Sequence, residues 1–121
     1  MRIATTVLVA MAAAMGGAGD AAAQDGQALY RRQCSTCHAT EAGQNKIGPS
    51  LHGIAGSKAA AVPGFEFSDA MKSSNLTWTD DNLAKYIADP KGTVPDGKMV
   101  YAGMKNPDDV KAVIDFLKTL K

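Results

Sequence analysis

The sequence predicts an all-α domain in which a few helices are joined by long loops. Three segments carry helix signals, and no segment alternates apolar and polar residues well enough to be a strand. The chain has 121 residues, a length that fits one domain. Beyond the amino-terminal segment it contains no internal repeat and no low-complexity stretch.

The most clearly predicted helix lies near the carboxyl end of the chain. Asn106 is its N-cap, Pro107 occupies its first position, and Asp109 completes a weak capping box. Apolar residues then recur at helical spacing, namely Val110, Val113, Ile114 and Leu117.

Two other segments also predict helices. One is a short helix from Asp25 to Gln33. The other begins at Thr79, an N-cap residue followed by two aspartates in the first turn, and it ends at Pro90.

The first 23 residues have the pattern of a cleaved secretory signal peptide. Arg2 precedes an apolar stretch from Ile3 to Met15, and small residues end the segment at Ala23. A membrane-spanning helix needs about 20 consecutive apolar residues, and glycines interrupt this run too early. We therefore expect cleavage after Ala23 and an exported domain of residues 24–121, with an uncleaved anchor as the alternative.

The charge of the chain excludes one class of partner. Lys and Arg together number 13 and Asp and Glu 12, so the net charge is close to zero. There is no run of basic residues, and we expect no nucleic-acid binding.

The cysteine pattern indicates the chemistry. Cys34 and Cys37 are separated by two residues and followed directly by His38, which is the attachment motif for c-type haem. The two thiols bond to the vinyl groups of the porphyrin, and the adjacent imidazole becomes the proximal iron ligand. One covalent haem c, with its iron, is therefore the expected cofactor.

Two other interpretations of the cysteines remain. A disulfide would close a very small ring, and a redox dithiol would normally lie beside a strand–helix unit that is not predicted here. A zinc site would need His52 as its fourth ligand.

A proline downstream fits the haem interpretation. A proximal histidine needs an acceptor for its second ring nitrogen, because that bond sets the tautomer and the ring plane. The carbonyl of Pro49 is the candidate acceptor for His38, although Pro49 could also be an ordinary turn residue.

With these motifs in place, the segment from Gly26 to Leu117 resembles the class I cytochromes c, in particular the mitochondrial cytochrome c and bacterial cytochrome c2 group. The resemblance implies a small fold of helices and long loops wrapped around one covalently bound haem. It also implies that a small and an aromatic residue of the first helix, Gly26 and Tyr30, cross the last helix near Val113 and Phe116.

The resemblance assigns further haem contacts. Trp78 matches a buried tryptophan that bonds a propionate, and Tyr86 a tyrosine beside the methionine ligand. Met99 takes the position of that ligand at the end of Pro95-Asp96-Gly97-Lys98-Met99, which resembles the ligand loop of the family. This makes His38 and Met99 the two metal ligands, while Met104 matches an apolar packing position. Gly64-Phe65-Glu66-Phe67-Ser68 resembles the loop beneath the propionates, and Tyr101 the aromatic residue near the exposed haem edge.

The chain departs from the family pattern at three positions near the rim of the haem. Ser57 stands in place of an arginine, Met71 in place of an asparagine, and Gly97 in place of a threonine. These changes affect the expected reduction potential and the rigidity of the ligand loop.

The expected function follows from the two axial ligands. Histidine and methionine hold iron six-coordinate in both oxidation states, and the soft thioether favours ferrous iron. We expect a periplasmic, monomeric one-electron carrier and no enzyme, because both axial positions are filled. The expected partners are redox proteins: a membrane cytochrome complex, an oxidase, a reaction centre or a dehydrogenase.

A docking surface for these partners is expected around the exposed haem edge. By position, four lysines would surround this edge: Lys46, Lys91, Lys98 and Lys105.

Two alternative functions remain. The protein could be a dedicated subunit of one dehydrogenase or oxidase, or a peroxidase or gas-binding protein if Met99 ligates weakly.

Overall fold

The computed structural model describes residues 18–121 and, within them, the side chains from residue 25 onward. In this part of the chain there are five helices: α1 (Ala18–Gln33), α2 (Asp69–Ser73), α3 (Asp80–Ala88), α4 (Pro90–Thr93) and α5 (Pro107–Leu117). Residues 18–121 form no strand beyond one isolated bridge between Lys58 and Thr77. The predicted all-α class is confirmed.

Helix α1 begins earlier than predicted. It starts at Ala18, so its first turns belong to the predicted signal peptide and contain alanines, the strongest helix formers. Residues 1–17 of that predicted peptide lie outside the described residues. None of the helices between residues 18 and 121 is long and apolar enough to cross a membrane.

The crossing of α1 and α5 is the central packing contact. Gly26 lies so close to α5 that a Cβ there would be 2.0 Å from the carbonyl oxygen of Ala112. The rings of Tyr30 and Phe116 meet at the same crossing, with centroids 5.3 Å apart. The pairing implied by the family resemblance is present.

Helix α5 is capped much as predicted. The Asn106 side chain accepts from the backbone N–H of Asp108 at 2.9 Å, and Pro107 occupies the first turn. The Asn106 cap thus binds the N–H of the second helical residue, Asp108. The buried face of α5 consists of Val110, Val113, Ile114, Phe116 and Leu117.

Helices α3 and α4 share a junction. Thr79 caps α3 by accepting from Asn82, as predicted. Helix α3 ends at Ala88, and Asp89 then caps α4 by accepting from the N–H of Gly92 at 3.0 Å. Pro90 is therefore the first residue of a further short helix, where its missing N–H costs nothing.

The short helix α2 was not predicted. Ser68 caps it by accepting from the N–H of Met71 at 3.1 Å. Met71 itself is buried in the core, so burial of this side chain holds five residues in a helix that could not form alone.

Candidate haem site

The haem-attachment motif forms a tight turn that leaves the end of α1. The N–H of Cys34 donates to the carbonyl of Tyr30 at 2.8 Å, and the N–H of His38 donates to the carbonyl of Cys34 at 3.0 Å. The turn therefore brings both thiols and the imidazole within one short segment of backbone. Cys34 and Cys37 are half-buried and free, so the disulfide interpretation is not supported.

The Cys34 thiol is held in its protonated form before any bond to haem is made. Burial, and secondarily the charge of Cys37, raises the pKa of Cys34 to about 11. The zinc interpretation gains no support either, because no group of three potential ligands occurs among the described residues. His52 is exposed to solvent.

The ring of His38 is fixed by the predicted acceptor. Its Nδ1 lies 2.7 Å from the carbonyl oxygen of Pro49. A carbonyl can only accept, so Nδ1 carries the proton and Nε2 carries the free lone pair that an iron ligand needs. Burial lowers the pKa of His38, outweighing the opposing effect of the Pro49 bond, and Lys46 lowers it further. The imidazole is thus neutral at neutral pH.

Gly48 leaves the space in which the His38 ring lies. A Cβ at this position would be 2.4 Å from Cε1 of His38 and less than 3 Å from both ring nitrogens. Sequence reasoning did not single out Gly48, because this requirement depends on where the ring packs. The only sequence signal for this role was that Gly48 directly precedes Pro49.

Asn45 and Ser50 hold the loop that carries Pro49. The Asn45 side chain accepts from the N–H of Ser50 at 2.9 Å and donates to the carbonyl of Pro63 at 3.1 Å. The Ser50 hydroxyl, in a residue only 2% exposed, donates to the carbonyl of Glu41. Asn45 thus joins the loop that carries Pro49 to the segment before Phe65, and Ser50 joins it to Glu41. Neither role was predicted from the sequence.

The two candidate methionine ligands lie in different environments. Met104 is buried in the core at 7% exposure, and its N–H donates to the carbonyl of Ile87 at 2.9 Å. Met99 is half-buried. Met104 therefore packs in the core, as expected, and Met99 is the more exposed of the two candidates.

The ligand loop is anchored to the end of α3 just beyond Met99. The ammonium of Lys105 donates to the carbonyl of Ala88 at 2.8 Å. A Cβ on Gly103, whose φ is 107°, would be 2.1 Å from the same oxygen. The close approach requires glycine at this position.

Trp78 and Tyr86 pack together in the core. Their ring centroids are 5.0 Å apart, and Trp78 is 5% exposed. Burial raises the pKa of Tyr86, so its hydroxyl stays protonated and can donate a hydrogen bond. The structure thus brings together two of the residues assigned to the haem contacts.

Three of the four lysines expected around the haem edge are also tied to backbone carbonyls. Lys46 donates to Ser35 at 2.6 Å, Lys98 to Glu66 at 3.0 Å, and Lys105 to Ala88. The ammonium of Lys98 also lies 5.2 Å from the centre of the Phe65 ring. Lys91 instead lines an open cleft of about 420 Å³ beside Tyr101. These lysines remain exposed, but most of them also hold loops together.

The three departures from the family pattern have local explanations. The Ser57 hydroxyl donates to the carbonyl of Ile54 at 2.7 Å, and Met71 fills the core. Gly97 donates to the carbonyl of Val94 at 3.1 Å, and a Cβ there would be 2.9 Å from that oxygen. The tight turn before Met99 thus favours glycine over threonine.

The residues present fit a covalently attached haem: two free, half-buried thiols, a neutral imidazole with a free Nε2, and a glycine that makes room for the ring. The small helical fold and this site together are those of a c-type haem protein.

Comparisons with known proteins agree. The Cytochrome c family model matches residues 23–121. The chain is 59% identical over 88 residues to cytochrome c2 iso-2 of Magnetospirillum molischianum, covering 73% of this chain and 91% of that protein. It is 52% identical over 90 residues to cytochrome c2 of Rhodoplanes tepidamans, covering 74% and 92%. Among solved structures, cytochrome cH from Methylobacterium extorquens matches with a TM-score of 0.75 and 41% identity, covering 80% of this chain and 97% of that one.

The chain belongs to the cytochrome c family. It is a class I c-type cytochrome with one covalent haem, and its function is electron transfer.

Proposed function

We propose that this protein is a periplasmic one-electron carrier in which Cys34 and Cys37 bind the haem and His38 and Met99 are the axial ligands. The observation that carries the proposal is the bond between His38 Nδ1 and the Pro49 carbonyl, 2.7 Å long. It places the proton on Nδ1 and leaves the Nε2 lone pair free for the iron.

The haem supplies an iron that gains and loses one electron. The residues of the chain keep that change small in structural terms: Pro49 and Gly48 hold the ring plane of His38, and the anchored loop holds Met99. Trp78 and Tyr86 exclude water and offer donors to the cofactor. If His38 and Met99 both hold the iron, no iron position would remain for a substrate, which supports a carrier and not an enzyme.

The proposed site of action is the periplasm. The charged start, apolar stretch and small-residue end of residues 1–23 support export and cleavage, which would leave residues 24–121 as the mature domain. Thioether formation on the Cys34 and Cys37 thiols would follow export.

We infer that the protein acts as a monomeric shuttle between redox proteins and not as a fixed subunit. Lys91, which lies in an open cleft beside Tyr101, is positioned to attract an acidic partner. Elution of the native protein without a partner at moderate salt would support the shuttle. Co-elution with one dehydrogenase or oxidase would contradict it.

The experiment that tests the ligand assignment compares two methionine variants. Met99→Ala should abolish the far-red sulfur-to-ferric-iron absorption band, lower the reduction potential and let the reduced protein bind carbon monoxide. Met104→Leu, a near-isosteric change in the core, is the matched control and should leave all three unchanged. Retention of the band in Met99→Ala together with its loss in Met104→Leu would assign the ligand to Met104.

A further inference from the structure

Tyr30 does more than pack against α5. An aromatic ring alone would fill the crossing with Phe116, but this residue carries a hydroxyl, and the hydroxyl donates to the backbone carbonyl of His38 at 2.9 Å. Tyr30 is 4% exposed, and the bond to half-buried His38 is therefore partly shielded from competing water.

The same residue also contacts the beginning of the haem-attachment motif. The backbone carbonyl of Tyr30 accepts from the N–H of Cys34 at 2.8 Å and from the N–H of Ser35 at 3.0 Å. Its carbonyl therefore holds the first two residues of the motif, and its hydroxyl holds the last. The distance across the turn is set by one side chain whose ring is fixed between two helices.

His38 is consequently held at three points. Its N–H donates to Cys34, its ring Nδ1 donates to Pro49, and its carbonyl accepts from Tyr30. The first two contacts come from the motif and its loop. Only the third comes from the α1–α5 crossing, so it connects the packing of the helices to the orientation of the imidazole.

We infer that the Tyr30 hydroxyl is a positioning group for the proximal ligand, acting on the orientation of the His38 ring through the backbone of the motif. The inference rests on the proposed role of His38 as that ligand. Removal of the hydroxyl should release the His38 carbonyl while the ring keeps its place in the crossing.

The test is Tyr30→Phe in the matured holoprotein, labelled with ¹⁵N-histidine. The chain contains only two histidines, and exposed His52 serves as an internal reference. In the ferric protein the paramagnetically shifted ring signals of His38 should move. The signals of His52 should not change.

Leu83→Ala is the control for lost stability. Leu83 lies in α3 and is 4% exposed, so its truncation weakens the core away from the two residues that make the bond. It should lower the denaturation midpoint and leave the His38 signals in place. The inference is overturned if Tyr30→Phe leaves those signals unmoved, or if Leu83→Ala moves them equally. If His38 shows no paramagnetic shift even in the unsubstituted protein, the ligand assignment itself is wrong and the inference is lost with it.

Discussion

An alanine at position 26 should force α1 and α5 apart. The new Cβ would be 2.0 Å from the carbonyl oxygen of Ala112 and 3.0 Å from Cβ of Phe116. Carbon and oxygen atoms in contact lie roughly 3.3–3.6 Å apart, so the helices would have to separate by on the order of 1 Å. The atom that is struck belongs to the backbone of α5, which cannot rotate away as a side chain would.

The size of the effect follows from two opposing contributions. Alanine favours a helix over glycine by about 1 kcal/mol. Overpacking a core costs about 1–3 kcal/mol and occasionally more, and a clash with rigid backbone belongs at or beyond the upper end. We therefore expect Gly26→Ala to lose about 2 kcal/mol of unfolding free energy, which corresponds to roughly 8–16 °C in Tm for a domain of this size.

The measurement is guanidinium unfolding of the ferric holoprotein, followed by circular dichroism and by the fluorescence of Trp78, the only tryptophan. Gln27→Ala, an exposed change on the neighbouring position of α1, is the matched control and should be neutral or slightly stabilising. Equal midpoints for the two variants would refute the argument that α1 and α5 pack backbone to backbone at Gly26.

Two further changes test the site and the surface. Gly48→Ala would place a Cβ 2.4 Å from the His38 ring, so it should rotate the ring, weaken its bond to Pro49 and destabilise the holoprotein by about 1–3 kcal/mol. An unchanged unfolding midpoint together with unmoved His38 NMR signals would contradict the requirement for glycine at position 48. Lys118→Ala removes an ion pair of 3.0 Å with Asp80 whose side chains are 48% and 63% exposed. It should change the unfolding free energy by less than about 1 kcal/mol, and a larger loss in the same titration would show that the pair is not a simple surface contact.

The helices that could be predicted are those with local signals. Thr79 and Asn106 are good caps at the start of amphipathic segments, so α3 and α5 were found with their correct first residues. Helix α2 depends on burial of Met71 in the core, and a five-residue segment carries too little pattern to show this. Helix α4 was hidden because Pro90 was interpreted only as a stop signal.

The residues of the site also fall into two groups, those with a local sequence signal and those without one. The Cys34-x-x-Cys37-His38 spacing is a local signal, and the need for an acceptor led directly to Pro49. Gly48 and Asn45 act on partners that approach only in the folded chain, namely the His38 ring and the Pro63 carbonyl. No spacing rule identifies them.

The number and positions of the lysines in the sequence did not predict which of them also hold loops together. A lysine has the same formal charge whether it is free or donates to a carbonyl, and Lys98 donates across 32 residues of chain to Glu66. A substitution that reverses its charge would therefore break the hydrogen bond that connects the ligand loop to the loop of Phe65. It would also change the attraction between Lys98 and an acidic partner. For Lys105 the broken contact would be the anchor of the ligand loop on Ala88.

These contacts imply that the two sides of the proposed haem site, His38 and Met99, differ in how they are stabilised. The His38 side is joined to the α1–α5 crossing through Tyr30 and to the proximal loop through Pro49. The Met99 loop depends on exposed lysine bonds and on the end of α3. Regions with few buried contacts open at lower free energy than the core. The methionine side should therefore open first under mild denaturant, while the covalent bonds and the histidine remain in place.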